Sequence, residues 1–298
     1  MPAAVSTSDR GTARAVALVL AAAACFGSVV IFTELAKRAG APLISVLGWR
    51  YLGGAVLLLL ASGAGPGLLR RLPRRRIAAL LLAGGGGQAT LAFVTLKALD
   101  YVPAATIAFL FYTYPSWVAV FAVVRRSEPV DRTRVTALAL SLSGIALMVG
   151  SPWAGTLDAR GVALALAGAL IYALYIPLLN RLQAGVGAAP ASALIVLSAG
   201  LVFAAVGLLT HTFTASLAPA AWLWIAALAV ICTAVAFIAF LRGLAVLGPV
   251  RTAIVSTVEP FWTLLLAVPA LGQPLRPATL AGGALIAGAV VLLQRRRA

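Results

Sequence analysis

Glu259 and Pro260 stand side by side near the middle of an apolar run from Pro249 to Pro269. The only other charge in that run is Arg251, near one end. A carboxylate at that depth costs about 2.5–3.5 kcal/mol to insert unless it faces protein or water. Thr252, Ser256, Glu259 and Thr263 follow one another at spacings of 4, 3 and 4, which places them on one face of a helix. Pro260 has no backbone N–H and so frees a carbonyl upstream. A polar stripe over a weakened backbone suits a solute pathway. In that role the acid binds a cationic group or carries a proton. The competing reading is a carboxylate that only pairs with a structural cation or hydroxyl.

Other residues at similar depth extend the pattern. Arg50 lies about a third of the way into the second apolar run. It either snorkels to an interface or pairs with a carboxylate, the solute's or that of Glu259. Gln88 follows four consecutive glycines, Gly84 to Gly87, which let neighbouring helices approach closely. It either bonds across to another helix or faces a cavity. Tyr114 and Trp117, three residues apart, suit an aromatic wall, as do Tyr172 and Trp262. The expected substrate-binding set is therefore Glu259, Arg50, Gln88, Tyr114, Trp117, Tyr172 and Trp262.

Catalysis, cofactors and metals find little support. The one histidine, His211, sits at the end of an apolar run, and the acids other than Glu259 are scattered among run ends. An enzyme acting on lipid-linked substrates needs such groups clustered at a membrane face. Cys25 and Cys232 lie in apolar runs with no partner at metal-binding spacing and read as packing residues. No catalytic residue, cofactor or metal site is expected. A passive channel is separated from a carrier only by saturation and counterflow.

The elements that must position these residues follow from hydropathy. The chain has 298 residues, 62% hydrophobic and 10% charged, with a mean hydropathy of +1.06. That balance belongs to an all-α polytopic membrane protein, not a soluble domain. Ten spans are predicted, at roughly 15–36, 42–62, 77–98, 103–124, 134–150, 160–180, 190–210, 219–241, 249–269 and 277–294. The first is too long for the apolar core of a cleaved signal peptide, and more spans follow it.

The spans fall into two copies. A shift of 145 residues brings Pro115 onto Pro260, Trp117 onto Trp262, Pro129 onto Pro274 and Lys97 onto Arg242. One offset holding across two apolar runs indicates an internal duplication. Tyr114 stands where the second copy has Glu259. Five helices is an odd number, so the copies must run in opposite directions, as in transporters that alternate access to a midplane site. The predicted divisions are a cytoplasmic tail at 1–13, a first repeat at 14–150, a connection at 151–159, a second repeat at 160–294 and a basic tail at 295–298.

The formal charge of +16 comes from 23 Lys+Arg against 7 Asp+Glu. The basic residues sit at run ends rather than on a soluble face, which argues for anionic lipid and against nucleic acid. With both termini inside, sixteen Lys+Arg fall inside, five outside (Lys37, Arg38, Lys97, Arg160 and Arg276), and Arg50 and Arg251 lie within spans. That bias predicts cytoplasmic termini.

These features resemble the EamA-like ten-helix members of the drug/metabolite transporter superfamily. The resemblance is carried by VPAATIAFLFYTYPSWVAVFAVVRRSEP at 102–129 and LGPVRTAIVSTVEPFWTLLLAVPALGQP at 247–274. The family pattern has a Gly/Pro-led helix, a central proline and a closing Gly-Glu pair. Glu128 matches the closing acid, Gln273 departs from it, and Glu259-Pro260 matches a form found in the second repeat. The resemblance implies a secondary transporter of small metabolites in the cytoplasmic membrane, as a monomer or homodimer. It is consistent with efflux of amino acids or related compounds, with protons as a possible coupling ion. The alternative is a multidrug, sugar or nucleotide-linked carrier without proton coupling. Arg50 and Glu259 together suit a zwitterion such as an amino acid.

Overall fold

The computed structural model describes residues 9–62, 73–124, 132–150, 157–183, 186, 188–256 and 258–295. Arg70, Arg71, Arg125, Arg126, Glu128, Arg296 and Arg297 lie outside these residues, as does most of the predicted connection between repeats. The side chain of Arg251 lies outside the description too.

The described chain folds as ten helices. The first repeat holds α1 (Asp9–Arg38) and α2 (Leu43–Ser62). Next is α3, built from Arg74–Leu82, a π-helical segment Ala83–Gln88 and Ala89–Lys97. Then come α4, in two pieces at Ala104–Phe111 and Tyr114–Val124, and α5 (Arg132–Gly150). The second repeat holds α6 (Ala159–Gln183) and α7 (Ala188–Leu209). There follow α8 (Pro219–Ala229, a π segment Val230–Val235, and on from Ala236 to Ser256), α9 (Glu259–Leu271) and α10 (Pro277–Arg295). Five stretches are long and apolar enough to cross a bilayer: Gly11–Arg38, Leu43–Ala61, Arg74–Asp100, Pro190–Leu209 and Pro219–Phe240. Shorter apolar helices include Ala159–Tyr175, Glu259–Leu271 and Pro277–Leu292.

The span predicted at 249–269 is not one continuous helix. Helical residues run past Gly248-Pro249 to Ser256, the helix stops, and α9 begins at Glu259. The span at 103–124 stops in the same way at Tyr112–Thr113. The two restarts, Tyr114 and Glu259, are 145 residues apart. Proline explains both. Pro115 and Pro260 lack the N–H that would bond four residues back, and the ring crowds that carbonyl. Proline is tolerated at the start of a helix, so a new helix restarts there. The π segments of α3 and α8 also fall at matching places in the two copies.

Packing shows the inversion. In α8, Phe237 meets Phe26 of α1, and Gly243 packs on Val19 and the Ala15 carbonyl. In α9, Glu259 and Trp262 meet Gly27, and the Leu271 carbonyl accepts a bond from Arg38. So α8 runs antiparallel to α1 and α9 parallel to it, and the chain reverses between Gly243 and Glu259. In the same manner α6 is antiparallel to α3, with Gly168 on Thr95 and Gly87 on Tyr175, and parallel to α4. The second and fifth helices pair with their counterparts: α2 with α7, and α5 with α10. The end of α1 and the start of α6 lie at one face, since Lys37 pairs with Asp100 and Gly161 packs on the adjacent Tyr101. Those two helices therefore point in opposite directions, as an odd repeat requires.

Close contact is the packing rule, because lipid removes the hydrophobic drive between helices. A Cβ on Gly84 would stand 2.1 Å from the Ser198 hydroxyl and 2.3 Å from the Ile195 carbonyl. The glycine run thus seats α3 directly on α7. One rim carries an ion network. Lys37 pairs with Glu34 and Asp100, Lys97 lies 2.5 Å from Asp100, and Arg38 lies 3.2 Å from Glu34. It ties the ends of α1, α3 and α9 together.

Candidate functional site

Glu259 opens α9 and is half-buried. Starting a helix rather than interrupting one matters electrostatically. Free N–H groups and the positive end of the helix dipole favour a carboxylate there, which offsets part of the cost of burying it. Pro260 leaves the Ser256 carbonyl without its helical donor, and the Tyr112 hydroxyl takes that place at 2.5 Å. The same Tyr112 oxygen lies 3.1 Å from Glu259 Oε2. The break of the first copy therefore reaches across to hold the break of the second.

Aromatic rings surround this junction. Tyr114 packs edge-on to Tyr112 at 5.8 Å and to Tyr172 of α6 at 4.8 Å. Phe111 stands 5.2 Å from Tyr172 and 5.9 Å from Tyr114. Tyr114, Tyr172 and Glu259 are each partly buried. Trp262 lies one turn beyond the acid, and its indole N–H donates to Ser28 at 3.2 Å. Thr263 donates to the Gly27 carbonyl at 2.8 Å. These two bonds fix α9 against α1 where the acid enters.

A second polar group lies on α2, α3 and α8. Arg50 is only 6% exposed, and its Nε donates to Thr233 Oγ1 at 3.2 Å. Thr233 in turn donates to the Leu228 carbonyl at 2.9 Å, at the π segment of α8. Gln88 donates to the Tyr51 hydroxyl at 3.0 Å, and Tyr175 donates to the Ala83 carbonyl at 3.0 Å, at the π segment of α3. Side-chain bonds to carbonyls of π segments are expected, since the widened turn loosens the helical ladder, and π segments recur at functional sites. Among the described residues no carboxylate pairs with Arg50. Between the two groups stand tyrosines: Tyr51 beside Arg50, and Tyr175 and Tyr172 three residues apart on α6.

A family model describing the EamA-like transporter family matches residues 13–150 and again 159–295. The chain belongs to the EamA-like transporter family. Its members are membrane transporters of small solutes rather than enzymes. Sixteen chains of solved structures match. One, described only as a crystal structure of a protein, superimposes with a TM-score of 0.68 at 21% identity, over 96% of this chain and 99% of the other. At that identity the likeness carries the fold alone. Comparison with curated proteins finds no match.

Set against this EamA fold, the expected residues divide into groups. Glu259, Tyr114 and Tyr172 meet at the helix breaks. Arg50 and Gln88 both sit beside Tyr51. Trp262 serves the site by anchoring α9. Trp117 donates to Thr113 at 3.2 Å, on the break of its own helix, and is absent from the ring pairs around Tyr114. Tyr112, Tyr51 and Thr233 lie outside the expected set, and Ser256 was expected only as part of the polar stripe from Thr252 to Thr263. Only Ser256 carried a usable sign, as the residue four before Pro260.

Proposed function

We propose that this EamA transporter moves small zwitterionic metabolites, amino acids foremost, out across the cytoplasmic membrane by alternating access. The observation that supports this most is the meeting of Glu259, Tyr112, Tyr114 and Tyr172 at the paired helix breaks. The break releases backbone and carboxylate from the regular helix ladder, and breaks at mid-membrane are tolerated where they line a cavity. Glu259 takes the cationic group of the solute or a proton. Arg50, which has no acidic partner among the described residues, takes its carboxylate. Tyr51, Tyr172, Tyr175 and Tyr114 line the way between them and suit an apolar side chain. Inverted repeats give the alternation, since exchanging the conformations of the two copies turns an opening on one face into an opening on the other. The Lys+Arg bias supports cytoplasmic termini.

The test is counterflow. Purified protein is placed in liposomes loaded with unlabelled amino acids, and entry of labelled ones is followed. The expected result is saturable, protein-dependent entry. Entry no greater than in protein-free liposomes removes the amino-acid reading. A second reading, a carrier of aromatic or drug-like solutes, is favoured by the ring cluster at Phe111, Tyr114 and Tyr172. It is tested by adding such compounds as competitors.

A further inference from the structure

Tyr112 places one hydroxyl between two groups that both compete for it. We propose that Tyr112 reads the protonation state of Glu259 and converts it into a locked or released helix end at Ser256. This rests on the transport reading of Glu259 and deepens it, making Tyr112 a positioning residue for the acid.

A phenol carries one hydrogen. Tyr112 Oη stands 2.5 Å from the Ser256 carbonyl, which cannot donate, and 3.1 Å from Glu259 Oε2. The shorter contact takes the phenol hydrogen. A bond between Tyr112 and Glu259 then needs a hydrogen from Glu259, so the acid is neutral in this arrangement. Tyr112 and Ser256 are 4% and 9% exposed, which leaves little room for water to supply another. Pro260 removes the backbone donor that would otherwise serve Ser256.

Loss of the proton reverses the preference. The O–H bond of Glu259 breaks, and the proton passes to water on whichever side the site then faces. The phenol keeps its own hydrogen and turns it towards the new carboxylate, since a bond to a charged acceptor is about twice as strong as one to a neutral carbonyl. The Ser256 carbonyl then has no donor, and the helix end it closes is freed to move. No other charge enters this exchange among the described residues. From α4 the groups facing Glu259 are Tyr112 and Tyr114, and from α6 Tyr172. From α1 they are Gly27 and, through Trp262, Ser28. Of the charges of α1, Glu34, Lys37 and Arg38 lie towards the far end of α9, where Arg38 holds Leu271, and Arg14 lies more than three turns before Gly27, next to Ala15, which packs on Gly243.

The test needs no solute. Hydrogen–deuterium exchange of the full chain in nanodiscs is followed over residues 252–265 across pH, each rate divided by that of an unstructured reference peptide. In the wild type, exchange rises about tenfold as Glu259 ionises, the size expected for leaving one buried carbonyl unpaired. Glu259→Gln, whose amide donates to Tyr112 at every pH, stays slow throughout. Tyr112→Phe stays fast throughout. A wild-type rate that simply tracks the reference peptide overturns the proposal, as does a Tyr112→Phe rate with the wild-type pH course. Either outcome leaves the counterflow result untouched, so failure of the switch is told apart from failure of the transport reading.

Discussion

Arg50 shows what a buried cation needs. A guanidinium has five N–H donors in a rigid fork, and the structure spends one of them on Thr233. A lysine there keeps the charge but loses both the fork and the bond to Thr233. Arg50→Lys is therefore expected to raise KM for a carboxylate-bearing solute about tenfold, or about 1.4 kcal/mol, while the protein still folds; concentration-dependent uptake checks this. Trp262 is a gentler case. Trp262→Phe keeps the ring but removes the bond to Ser28, and should cost about 1 kcal/mol of stability, read as a lower melting temperature in detergent. At this scale the sequence singles out several residues of the candidate site, Glu259, Tyr114 and Tyr172, which the structure brings together. An acid, an arginine and tyrosines inside apolar runs are too costly to be incidental. Tyr112 was not legible, because what it bonds lies 144 and 147 residues away in the other repeat. Spacing within one helix could not show that the indole N–H of Trp117 donates to Thr113.

The elements that matter are the interrupted ones. The offset of 145 and the paired prolines announced that the two copies would be alike. They did not announce where each helix would stop. The polar stripe from Thr252 to Thr263 assumed one continuous helix, and the break divides it between two. The π segments were also hidden, since a widened turn has no spacing signal of its own. Glycine positions test this picture within a single segment. Gly84→Ala drives a methyl into α7, at 2.1 Å from Ser198 and 2.3 Å from the Ile195 carbonyl, and should destabilise by about 1–3 kcal/mol or more. Gly86→Ala, two residues on, meets nothing within 4 Å and should be neutral or stabilising by up to about 1 kcal/mol. Thermal unfolding of the two variants side by side checks the assignment. Equal losses would mean that the glycine run does not face α7 as described. Gly27→Ala acts on the site itself. Its methyl would stand 2.8 Å from the Glu259 carbonyl, so it is expected to lower transport more than it lowers stability.

For the whole molecule, pseudo-symmetry is the governing fact. Each first helix packs on the third and fourth helices of the other copy, so neither repeat holds a complete site alone. Glu259 belongs to one copy and Tyr112 to the other, and any relative motion of the copies is felt at their junction. The rim network of Lys37, Asp100, Lys97, Glu34 and Arg38 joins α1, α3 and α9 at one face, and its pairs are individually worth only about 0–1 kcal/mol. Orientation has its own check: a fluorescent protein fused to the C-terminus should mature inside the cell, and a periplasmic reporter fused there should stay silent. The most direct measurement of the central claim compares wild type with Glu259→Gln in liposomes loaded with amino acids, with and without an imposed pH gradient. The account predicts that wild-type uptake responds to the gradient, whereas Glu259→Gln loses that response while Arg50 and the tyrosines still support some exchange. Identical rates and identical gradient responses in the two proteins would contradict it.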